Sequence, residues 1–405
     1  STINGGSCMH STRKIKEDIY YLGASDRRIE LFENVYPVSQ GMSYNSYLIT
    51  DEKTCLMDSV DESIRGQFLE NLQYALNGRN LDYMVVQHME PDHCSIVPEL
   101  FRMYPDMKLV ASLQAFKMME NFYSLQTEER RLVVKEGDTL ELGKHTLKFI
   151  AAPMVHWPEV LMTYDVTDKI LFSADAFGSF GAMSGNIFAD EIDWDKDFKD
   201  EARRYYVNIV GKYGPQTQNV LKKASTLDIQ MICPLHAHIW RKDLSKIISL
   251  YDTWSKYEAE KDSVVIFYGS IYGNTQNAAE ILAMQLAENG MESVEVFDTS
   301  KTHVSFLVSK AFEYKTLVFA AATYNSEIFD TVQNLITELK NHNLSNRRIG
   351  LIENGSWAPV AASKMKAQLE TLKNMEIVDP VVKVVSSVTA KNVEELSVLA
   401  KELMK

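Results

Sequence analysis

The chain has 405 residues, of which 45% are hydrophobic and 24% are charged, and its formal net charge is −13 at pH 7. This composition is typical of a globular protein with two or three domains, and the negative charge argues against a general nucleic-acid binder. No run approaches the roughly 18 apolar residues needed to cross a bilayer, and the start lacks a charged region followed by an apolar segment. We therefore expect a soluble, cytoplasmic protein in which residues 1–12 form a flexible tail.

The four cysteines lie far apart and form no Cys-x-x-Cys pair; they are Cys8, Cys55, Cys94 and Cys233. This spacing predicts neither a disulfide framework nor a zinc ribbon. Free cysteine is often buried, so we interpret these residues as small core residues.

From residue 15 the chain alternates β-rich runs with turn residues, and helical patterns lie between some of these runs. Residues 61–76 form the first predicted helix, because apolar side chains recur at helical spacing from Ile64 to Leu76. Residues 113–123 form another. Mixed strands with helices on either side predict an αββα sandwich.

A short apolar run is followed by four candidate metal ligands within six positions. Alternate side chains of an extended backbone face the same way, so His88 and Glu90 can share one metal. Asp92 and His93 lie past a proline, where the chain must turn, and can face a second metal. A polar loop with two unrelated histidines is the less favoured alternative, because clustered histidine and carboxylate groups are typical of metal sites.

Two metals need further ligands, and His156, Asp175 and His236 each follow a short, apolar, partly β-branched run. Such runs are typical of buried strands, and strands that share a direction would bring their ligands to one edge. His145 falls at the start of a strand and is interpreted as an ordinary surface residue. His238 is interpreted as a neighbour of the ligands or an exposed residue, since most histidines bind no metal.

The segment after Asp175 is polar and aromatic as far as Trp194. It either covers the metal pocket or forms a solvated acidic face, and both alternatives stay open. Residues 255–262 are charged and lack an apolar period. We therefore predict a metal-binding domain over residues 13–255, a linker over 256–262 and a second domain over 263–405.

The second domain begins with a continuous apolar run, residues 263–268, which is typical of a buried parallel strand. A loop of small and hydroxylated residues follows it and leads into a helix. A helix N-terminus with free amides suits a phosphate, although a tight turn without a ligand is the alternative. Strands over 293–297, 316–320, 348–352 and 380–385 complete a flavodoxin-like doubly wound five-stranded parallel sheet, whose ligand should lie at the carboxyl ends.

The candidate cofactor-binding residues lie in the loops at that edge, where aromatic rings could contact an isoalloxazine. They are Ser270, Ile271, Tyr272, Gly273, Asn274, Thr275, Thr323, Tyr324, Asn325, Asn354, Gly355, Ser356 and Trp357.

These motifs resemble those of the flavodiiron proteins, whose diiron domain has the metallo-β-lactamase fold. The resemblance covers nearly the whole chain. It rests on the ligand spacing, in which His156 follows His93 by 63 residues, Asp175 follows after 19 more and His236 after 61 more. It implies that His88, Glu90 and His156 bind one iron, that Asp92, His93 and His236 bind the other, and that Asp175 bridges both.

The resemblance implies an oxidoreductase that reduces dioxygen to water, nitric oxide to nitrous oxide, or both, at a non-haem diiron site that receives electrons from FMN. It also implies a head-to-tail homodimer, with a tetramer as a further option. The sequence contains neither a dinucleotide fingerprint nor rubredoxin cysteines. We therefore expect an external electron donor, namely a rubredoxin or alternatively a deazaflavin.

Two other classes of function remain. A binuclear zinc hydrolase fused to a flavodoxin would use the same fold, with a metal-activated hydroxide attacking an ester or phosphodiester. Hydrolases of this fold usually have a histidine at the position of Glu90, and the harder, anionic carboxylate favours iron. A pure electron-transfer flavoprotein with a structural metal would explain only the second domain, because structural sites usually place four protein ligands on one ion.

Overall fold

A computed structural model describes residues 10–405, so Cys8 and most of the predicted tail lie outside the described residues. His10 and Ser11 lie inside this range and contact the first helix. The His10 ring stacks on Tyr74 with 3.5 Å between the ring centroids, and the Ser11 amide donates a hydrogen bond to Asn71 Oδ1 at 2.8 Å.

Contacts divide the chain into two compact units. The first contains the described residues up to Tyr206 together with Pro215–Tyr251, and the second contains Val207–Gly214 together with Asp252–Lys405. The predicted linker, residues 256–262, falls just inside the second unit, and its last two residues already belong to a strand. The predicted domain bounds remain a prediction.

Among the described residues up to Ser255 there are sixteen strands, some of them only two or three residues long. They are β1 (Arg13–Lys16), β2 (Ile19–Tyr21), β3 (Ala24–Asp26), β4 (Leu31–Phe32), β5 (Tyr36–Pro37), β6 (Met42–Tyr44), β7 (Tyr47–Thr50), β8 (Thr54–Met57), β9 (Tyr83–Val85), β10 (Lys108–Ala111), β11 (Arg131–Val133), β12 (Thr139–Glu141), β13 (Thr146–Ala151), β14 (Leu161–Asp165), β15 (Ile170–Phe172) and β16 (Met231–Cys233).

Eight α-helices lie in the same stretch. They are α1 (Arg65–Leu76), α2 (Pro91–Cys94), α3 (Val97–Met103), α4 (Leu113–Tyr123), α5 (Trp194–Asp197), α6 (Lys199–Ile209), α7 (Gly214–Ala224) and α8 (Leu244–Ser255). The first predicted helix is α1 preceded by a 3₁₀ turn, Glu62–Ile64, which the Asp61 side chain caps by accepting from the Ser63 amide. Asp is a strong N-cap because its oxygen satisfies an otherwise unpaired amide.

Two large sheets build the first unit, and two small sheets, β3-β6 and β4-β5, accompany them. One large sheet has the order β1-β2-β7-β8-β9-β10-β11 and the other the order β12-β13-β14-β15-β16. Buried side chains of both sheets form one core, to which Val85 and Val110 contribute from the first sheet and Phe149, Phe172 and Cys233 from the second. Strands β8, β9 and β10 are parallel to one another, and so are β15 and β16, so the loops after each set emerge at the same edge of their sheet.

The second unit is built around one parallel sheet. Its strands are β17 (Lys261–Gly269), β18 (Glu295–Asp298), β19 (Tyr314–Tyr324), β20 (Glu327–Ile328), β21 (Arg347–Asn354), β22 (Met375–Ile377) and β23 (Val382–Val384), and its helices are α9 (Asn274–Glu288), α10 (Val304–Glu313), α11 (Asp330–Asn341), α12 (Ala361–Leu369) and α13 (Ala390–Leu403). The parallel strands have the order β18-β17-β19-β21-β22, with β23 also pairing with β21, whereas the short strand β20 pairs antiparallel with the end of β19. This is the order expected of a flavodoxin-like sheet.

Among the described residues, none of the helices combines the length and the apolar character that a membrane span requires.

Candidate metal centre and cofactor pocket

The seven predicted metal ligands lie close together, although they come from four loops. These loops follow β9, β13, β15 and β16. Every one of the seven residues is at most 8% exposed. They form two groups, namely His88, Glu90, His156 and Asp175 in the first group and Asp92, His93 and His236 in the second.

The first group surrounds a single point. His88 Nε2 lies 3.3 Å from Glu90 Oε2 and 3.2 Å from His156 Nε2. Asp175 Oδ2 lies 3.1 Å from each of these imidazole nitrogens, and His156 Nε2 lies 3.1 Å from Glu90 Oε2. Ligand atoms about 2.1 Å from one metal ion and at right angles to each other are about 3.0 Å apart. The separations therefore fit one metal ion bound by all four residues.

The second group uses the other oxygen of Asp175. His93 Nε2 lies 2.9 Å from Asp175 Oδ1 and 3.2 Å from Asp92 Oδ2. His236 Nε2 lies 3.2 Å from the same Asp92 oxygen and 3.4 Å from Asp175 Oδ1. The two oxygens of Asp175 thus face different groups, as expected for a carboxylate that bridges two metals.

The backbone after β9 explains how one short stretch serves both groups. Glu90 is extended and precedes α2, whose first residue is Pro91. Proline suits the first helical position, because its ring fixes φ and its missing N–H would be unpaired there. The turn into α2 separates Asp92 and His93 from His88 and Glu90, which stay on the extended side.

Several candidate metal-ligand atoms form no hydrogen bond with the described residues. Both oxygens of Asp92, both ring nitrogens of His93, Asp175 Oδ1 and His236 Nε2 are buried and have no hydrogen-bond partner among the described residues. Buried polar atoms are rarely left unpaired, since each costs about 1–3 kcal/mol. With three carboxylates and four imidazoles around them, these atoms fit two metal ions of the iron type.

Neighbouring charges outweigh the effect of burial on the pKa values of His93 and Asp175. Burial alone would lower the pKa of His93, but the Asp92 and Asp175 carboxylates raise that pKa to about 9. Burial opposes ionisation of Asp175 as well, yet the His93 and His88 imidazoles hold the pKa of this carboxyl well below its usual range. At pH 7 the His93 imidazole would hold a proton without metal, so metal binding must displace that proton.

Glu159 supports the first group and was not among the predicted site residues. Its Oε2 accepts hydrogen bonds from His88 Nδ1 at 3.0 Å and from the Met89 amide at 2.6 Å. In the second group, His236 Nδ1 donates to the Ser43 carbonyl oxygen at 2.7 Å. Metal-binding imidazoles usually donate their second N–H to such an acceptor, which orients the ring. The only sequence signal for Glu159 was its position three residues after His156.

The segment after Asp175 covers the second group, which decides between the two alternatives left open by the sequence. Phe180 is buried, and its ring centroid lies 5.7 Å from that of Phe32 and 5.2 Å from that of Tyr205. Both of these rings contact His236, at 5.7 and 5.6 Å between centroids. Exposed acidic side chains begin only near residue 190. An aromatic layer thus keeps water away from this side of the site.

The prediction that His145 is a surface residue is wrong. Its residue is fully buried, and its ring nitrogens lie 2.8 Å from Asp165 Oδ2 and 2.7 Å from Asp18 Oδ2. Burial acts to lower the pKa of His145, but these two carboxylates raise it to about 9. Asp18, His145 and Asp168 are close enough to hold a metal. Because both ring nitrogens point at carboxylates, the protonated imidazole has no lone pair left for one.

His238 is also buried, so of its two predicted alternatives the exposed one is wrong. Its ring makes an edge contact with Phe198 at 4.5 Å between centroids. It belongs to neither group of ligands.

The carboxyl edge of the second sheet contains a cavity of about 480 Å³. The predicted cofactor-binding residues line it, with the exception of Gly273, and four further residues line it as well, namely Ala322, Ser326, Ala358 and Ser386. Gly273 precedes α9 with a φ of +101°, a conformation that favours glycine. Its amide donates to Ser270 Oγ at 3.1 Å, which closes the loop around the helix N-terminus.

Large aromatic side chains at the rim of this cavity are exposed. Tyr272 is 92% exposed and Trp357 is 83% exposed. Exposed apolar rings grouped around a cavity are typical of a binding site. Ala320, Ala321 and Ala322 are buried along β19 and lead to the same edge.

Solved structures similar to this chain have both units in one polypeptide. Rubredoxin oxygen:oxidoreductase from Desulfovibrio gigas matches with a TM-score of 0.90 and 27% identity, covering 97% of this chain and 98% of that one. The flavodiiron protein from Giardia intestinalis matches with a TM-score of 0.87 and 25% identity, covering 98% and 97%.

Two family models match the chain, ODP family beta lactamase over residues 42–237 and Flavodoxin over residues 266–395. Anaerobic nitric oxide reductase flavorubredoxin from Escherichia coli is 30% identical over 363 residues, which cover 88% of this chain and 74% of that protein. The chain belongs to the flavodiiron protein family. Membership confirms the predicted fold of this flavodiiron chain, an αββα metallo-β-lactamase-like sandwich followed by a flavodoxin-like sheet.

Proposed function

We propose that this protein is an oxidoreductase that reduces dioxygen to water, nitric oxide to nitrous oxide, or both, at a non-haem diiron site that receives electrons from FMN. The observation that carries the proposal is the position of Asp175, whose two oxygens face two separate groups of ligands. The relatives support the choice of substrates, since one is named a nitric oxide reductase and another an oxygen oxidoreductase.

In this proposal His88, Glu90 and His156 hold one iron, Asp92, His93 and His236 hold the other, and Asp175 binds both. Two ferrous ions and a reduced flavin together supply four electrons, enough to reduce one dioxygen with four protons to two waters. Coupling two nitric oxide molecules to nitrous oxide and one water takes two electrons and two protons. The three carboxylates largely offset the positive charge of two ferrous ions, and the buried imidazoles fix their positions.

The residues at the edge of the second sheet would hold FMN. The phosphate would lie on the Ser270–Thr275 loop, where amides at the start of α9 and hydroxyls face the cavity and no cationic side chain is needed. Tyr324 and Trp357 line the same cavity and would contact the isoalloxazine. Thr323 Oγ1 accepts from the Val360 amide at 3.1 Å, which orients the loop that carries Trp357.

We also propose an external electron donor of the rubredoxin type, with a deazaflavin as the alternative. The name of the Desulfovibrio gigas relative supports a rubredoxin. A head-to-tail homodimer, with a tetramer as a further option, and a cytoplasmic location belong to the same proposal. The described cysteines, Cys55, Cys94 and Cys233, are buried and unbridged, which fits a reducing compartment.

The zinc hydrolase alternative requires a different ligand at position 90. Glu90 Oε2 lies within 3.3 Å of both His88 Nε2 and His156 Nε2, which supports a role for its carboxylate as a metal ligand of the first group. A carboxylate there adds a negative charge that stabilises a ferric ion, whereas zinc undergoes no redox change and gains nothing from it.

The test uses protein purified without oxygen. Iron, zinc and FMN per chain are measured first, and consumption of dioxygen and nitric oxide is then followed with a reduced rubredoxin system. About two irons and one FMN per chain with turnover of either gas would support the proposal. The matched variants Asp175→Asn and Asp197→Asn separate the bridging carboxylate from an exposed one, and only the first should lose iron and turnover. Zinc in place of iron, with no gas consumed after iron reconstitution, would refute the proposal.

A further inference from the structure

The first unit contains a cavity of about 200 Å³ whose lining includes none of the candidate metal ligands. It lies between α7, α8 and the outward side of β15 and β16. Apart from Ser225, every residue that lines it is apolar. The outward side of the two strands is shown by their alternation, since Ile170, Phe172, Met231 and Cys233 face the core between the sheets whereas their neighbours line the cavity.

We call this cavity the apolar funnel, because its inner wall is buried and its outer wall is partly exposed. Its inner wall consists of Leu171, Ile232 and Phe177, which are at most 4% exposed. Its outer wall consists of half-buried side chains from the end of α7 and the first half of α8, including Leu221 and Ile248. An apolar guest can therefore enter from outside and reach a buried floor without meeting a charged side chain.

Phe177 connects the floor of this funnel with the metal ligands. It lies two residues after Asp175, in a turn closed by the bond from the Gly178 amide to the Asp175 carbonyl oxygen at 3.2 Å. The turn packs on a second ligand. A Cβ added to Gly178 would lie 3.1 Å from the His236 carbonyl oxygen and 3.3 Å from its Cβ. The same short turn thus touches both the funnel and the ligand shell.

The backbone of Phe177 is held in an unusual conformation. Its φ is +69°, which large side chains rarely adopt because Cβ then crowds the carbonyl oxygen. Its ring packs against Tyr251 with 4.6 Å between centroids. Strained residues cluster at functional sites, where the unusual backbone conformation holds a side chain in the position that the function requires. In this case the strain directs the ring to the cavity while Asp175 keeps its place between the two metal groups.

We propose that this funnel takes up the apolar diatomic substrate, dioxygen or nitric oxide, and delivers it past Phe177 to the metal centre. The inference rests on the proposed function. Both gases are small, uncharged and more soluble in apolar surroundings than in water. An enclosed cavity lined by leucine, isoleucine and phenylalanine stays dry and binds neutral guests such as xenon, and the buried floor of the funnel has such a lining. Water, which needs two to four polar partners, is a poor competitor there.

Occupancy is tested with crystals of the intact holoprotein under xenon pressure. We expect a xenon peak bounded by Leu171, Phe177 and Ile232. Ile248→Trp should fill the funnel and remove the peak, whereas Ser249→Trp places the same ring on the exposed neighbouring position of α8 and should leave it unchanged. Ala224→Phe fills the funnel from α7, and it replaces Ile248→Trp in the experiment if that variant does not fold.

Steady-state kinetics test whether the funnel delivers the gas to the metal centre. We expect Ile248→Trp to lower kcat/KM for the gas by about fivefold or more with kcat at saturating gas unchanged, because the chemistry is untouched and only access is reduced. Ser249→Trp should behave as the parent protein. A folded funnel-filled variant with unaltered KM, or a funnel that binds no xenon, would overturn the proposal and leave the proposed function intact. Protein that binds xenon there but turns over neither gas would refute the proposed function and the delivery role with it.

Discussion

Replacing Glu159 by glutamine tests whether a carboxylate behind His88 sets the affinity of the first metal group. The side chain is buried, and its Oε2 accepts from both His88 Nδ1 and the Met89 amide. Glutamine has the same shape and keeps an acceptor oxygen at this position. The substitution therefore removes the negative charge while keeping both hydrogen bonds. Alanine would remove the bonds as well and leave a buried amide unpaired.

The structure sets the size of the effect. A hydrogen bond to a charged group contributes about 1.5–3 kcal/mol, compared with about 0.5–1.5 kcal/mol for a neutral pair. Two bonds that lose their charge assistance therefore lose about 2–3 kcal/mol in total. Mutation of a residue that hydrogen-bonds a metal-binding imidazole typically weakens metal binding by about 10- to 100-fold, or about 1.4–2.8 kcal/mol. The two estimates agree, so we expect iron affinity to fall in that range.

The assay follows iron release to a ferrous chelator from anaerobic protein, in competition at several chelator concentrations. Glu159→Gln should lose one iron about 10- to 100-fold more readily than the parent, with FMN content unchanged. Glu120→Gln removes the same charge from the exposed face of α4 and should release iron as the parent does. Equal release from all three proteins would show that the carboxylate does not support His88.

Three further predictions concern charge and backbone. Iron should dissociate more readily as the pH falls from 8 to 5.5, because protons compete with the metal for His93. Burial lowers the pKa of His93 in the metal-free site, but Asp92 and Asp175 raise it to about 9. Equal retention of iron after dialysis at both pH values would contradict this prediction. The pKa of His145 is raised to about 9 in the folded protein, compared with about 6.5 in the unfolded chain. The stabilisation that results is fully present below pH 6.5 and is lost as the pH rises through 9. Urea unfolding should therefore show a loss of about 1–2 kcal/mol, allowing for screening, between pH 7 and 10, and His145→Gln should abolish this pH dependence. Gly273→Ala should weaken FMN binding by about 1–2 kcal/mol in a fluorescence titration, because alanine is strained at a φ of +101°, whereas Gly66→Ala, in open space on α1, should not.

The clustering of the candidate metal ligands was predictable because each of their four loops follows a strand with a clear apolar signal. The run that ends in β9 and the run that ends in β15 are short and largely buried, and each strand pairs in parallel with a neighbour, so the loop after it lies at the carboxyl edge of its own sheet. The prediction that His88 and Asp175 converge assumed that the two strands share a direction, and the sequence did not show that they belong to two different sheets. What the sequence could not provide is which oxygen of Asp175 faces which group, since this depends on the turn geometry after β15.

The missed residues share a different property: their partners are distant in sequence. Glu159 contacts His88, 71 positions away, and His145 contacts Asp18, 127 positions away. A charged residue in a short polar stretch has the same local pattern whether it is solvated or buried against a partner from another strand. The surface interpretation of His145 failed for this reason, because this residue is buried against Asp165 at the end of β14 and against Asp18 in the turn between β1 and β2.

The same contacts make the two halves of the metal centre unequal. The first group contains Glu90 and is supported by the Glu159 carboxylate behind His88, whereas the second contains Asp92 and is supported by the neutral Ser43 carbonyl behind His236. Asp175 contributes one oxygen to each group, so it cancels from the comparison. The extra carboxylate near the first group raises the basicity of its imidazole and favours the more highly charged metal ion there. Removing the charge of Glu159 should consequently bring the two metal affinities closer together, and the order in which the irons are lost reports on this asymmetry directly.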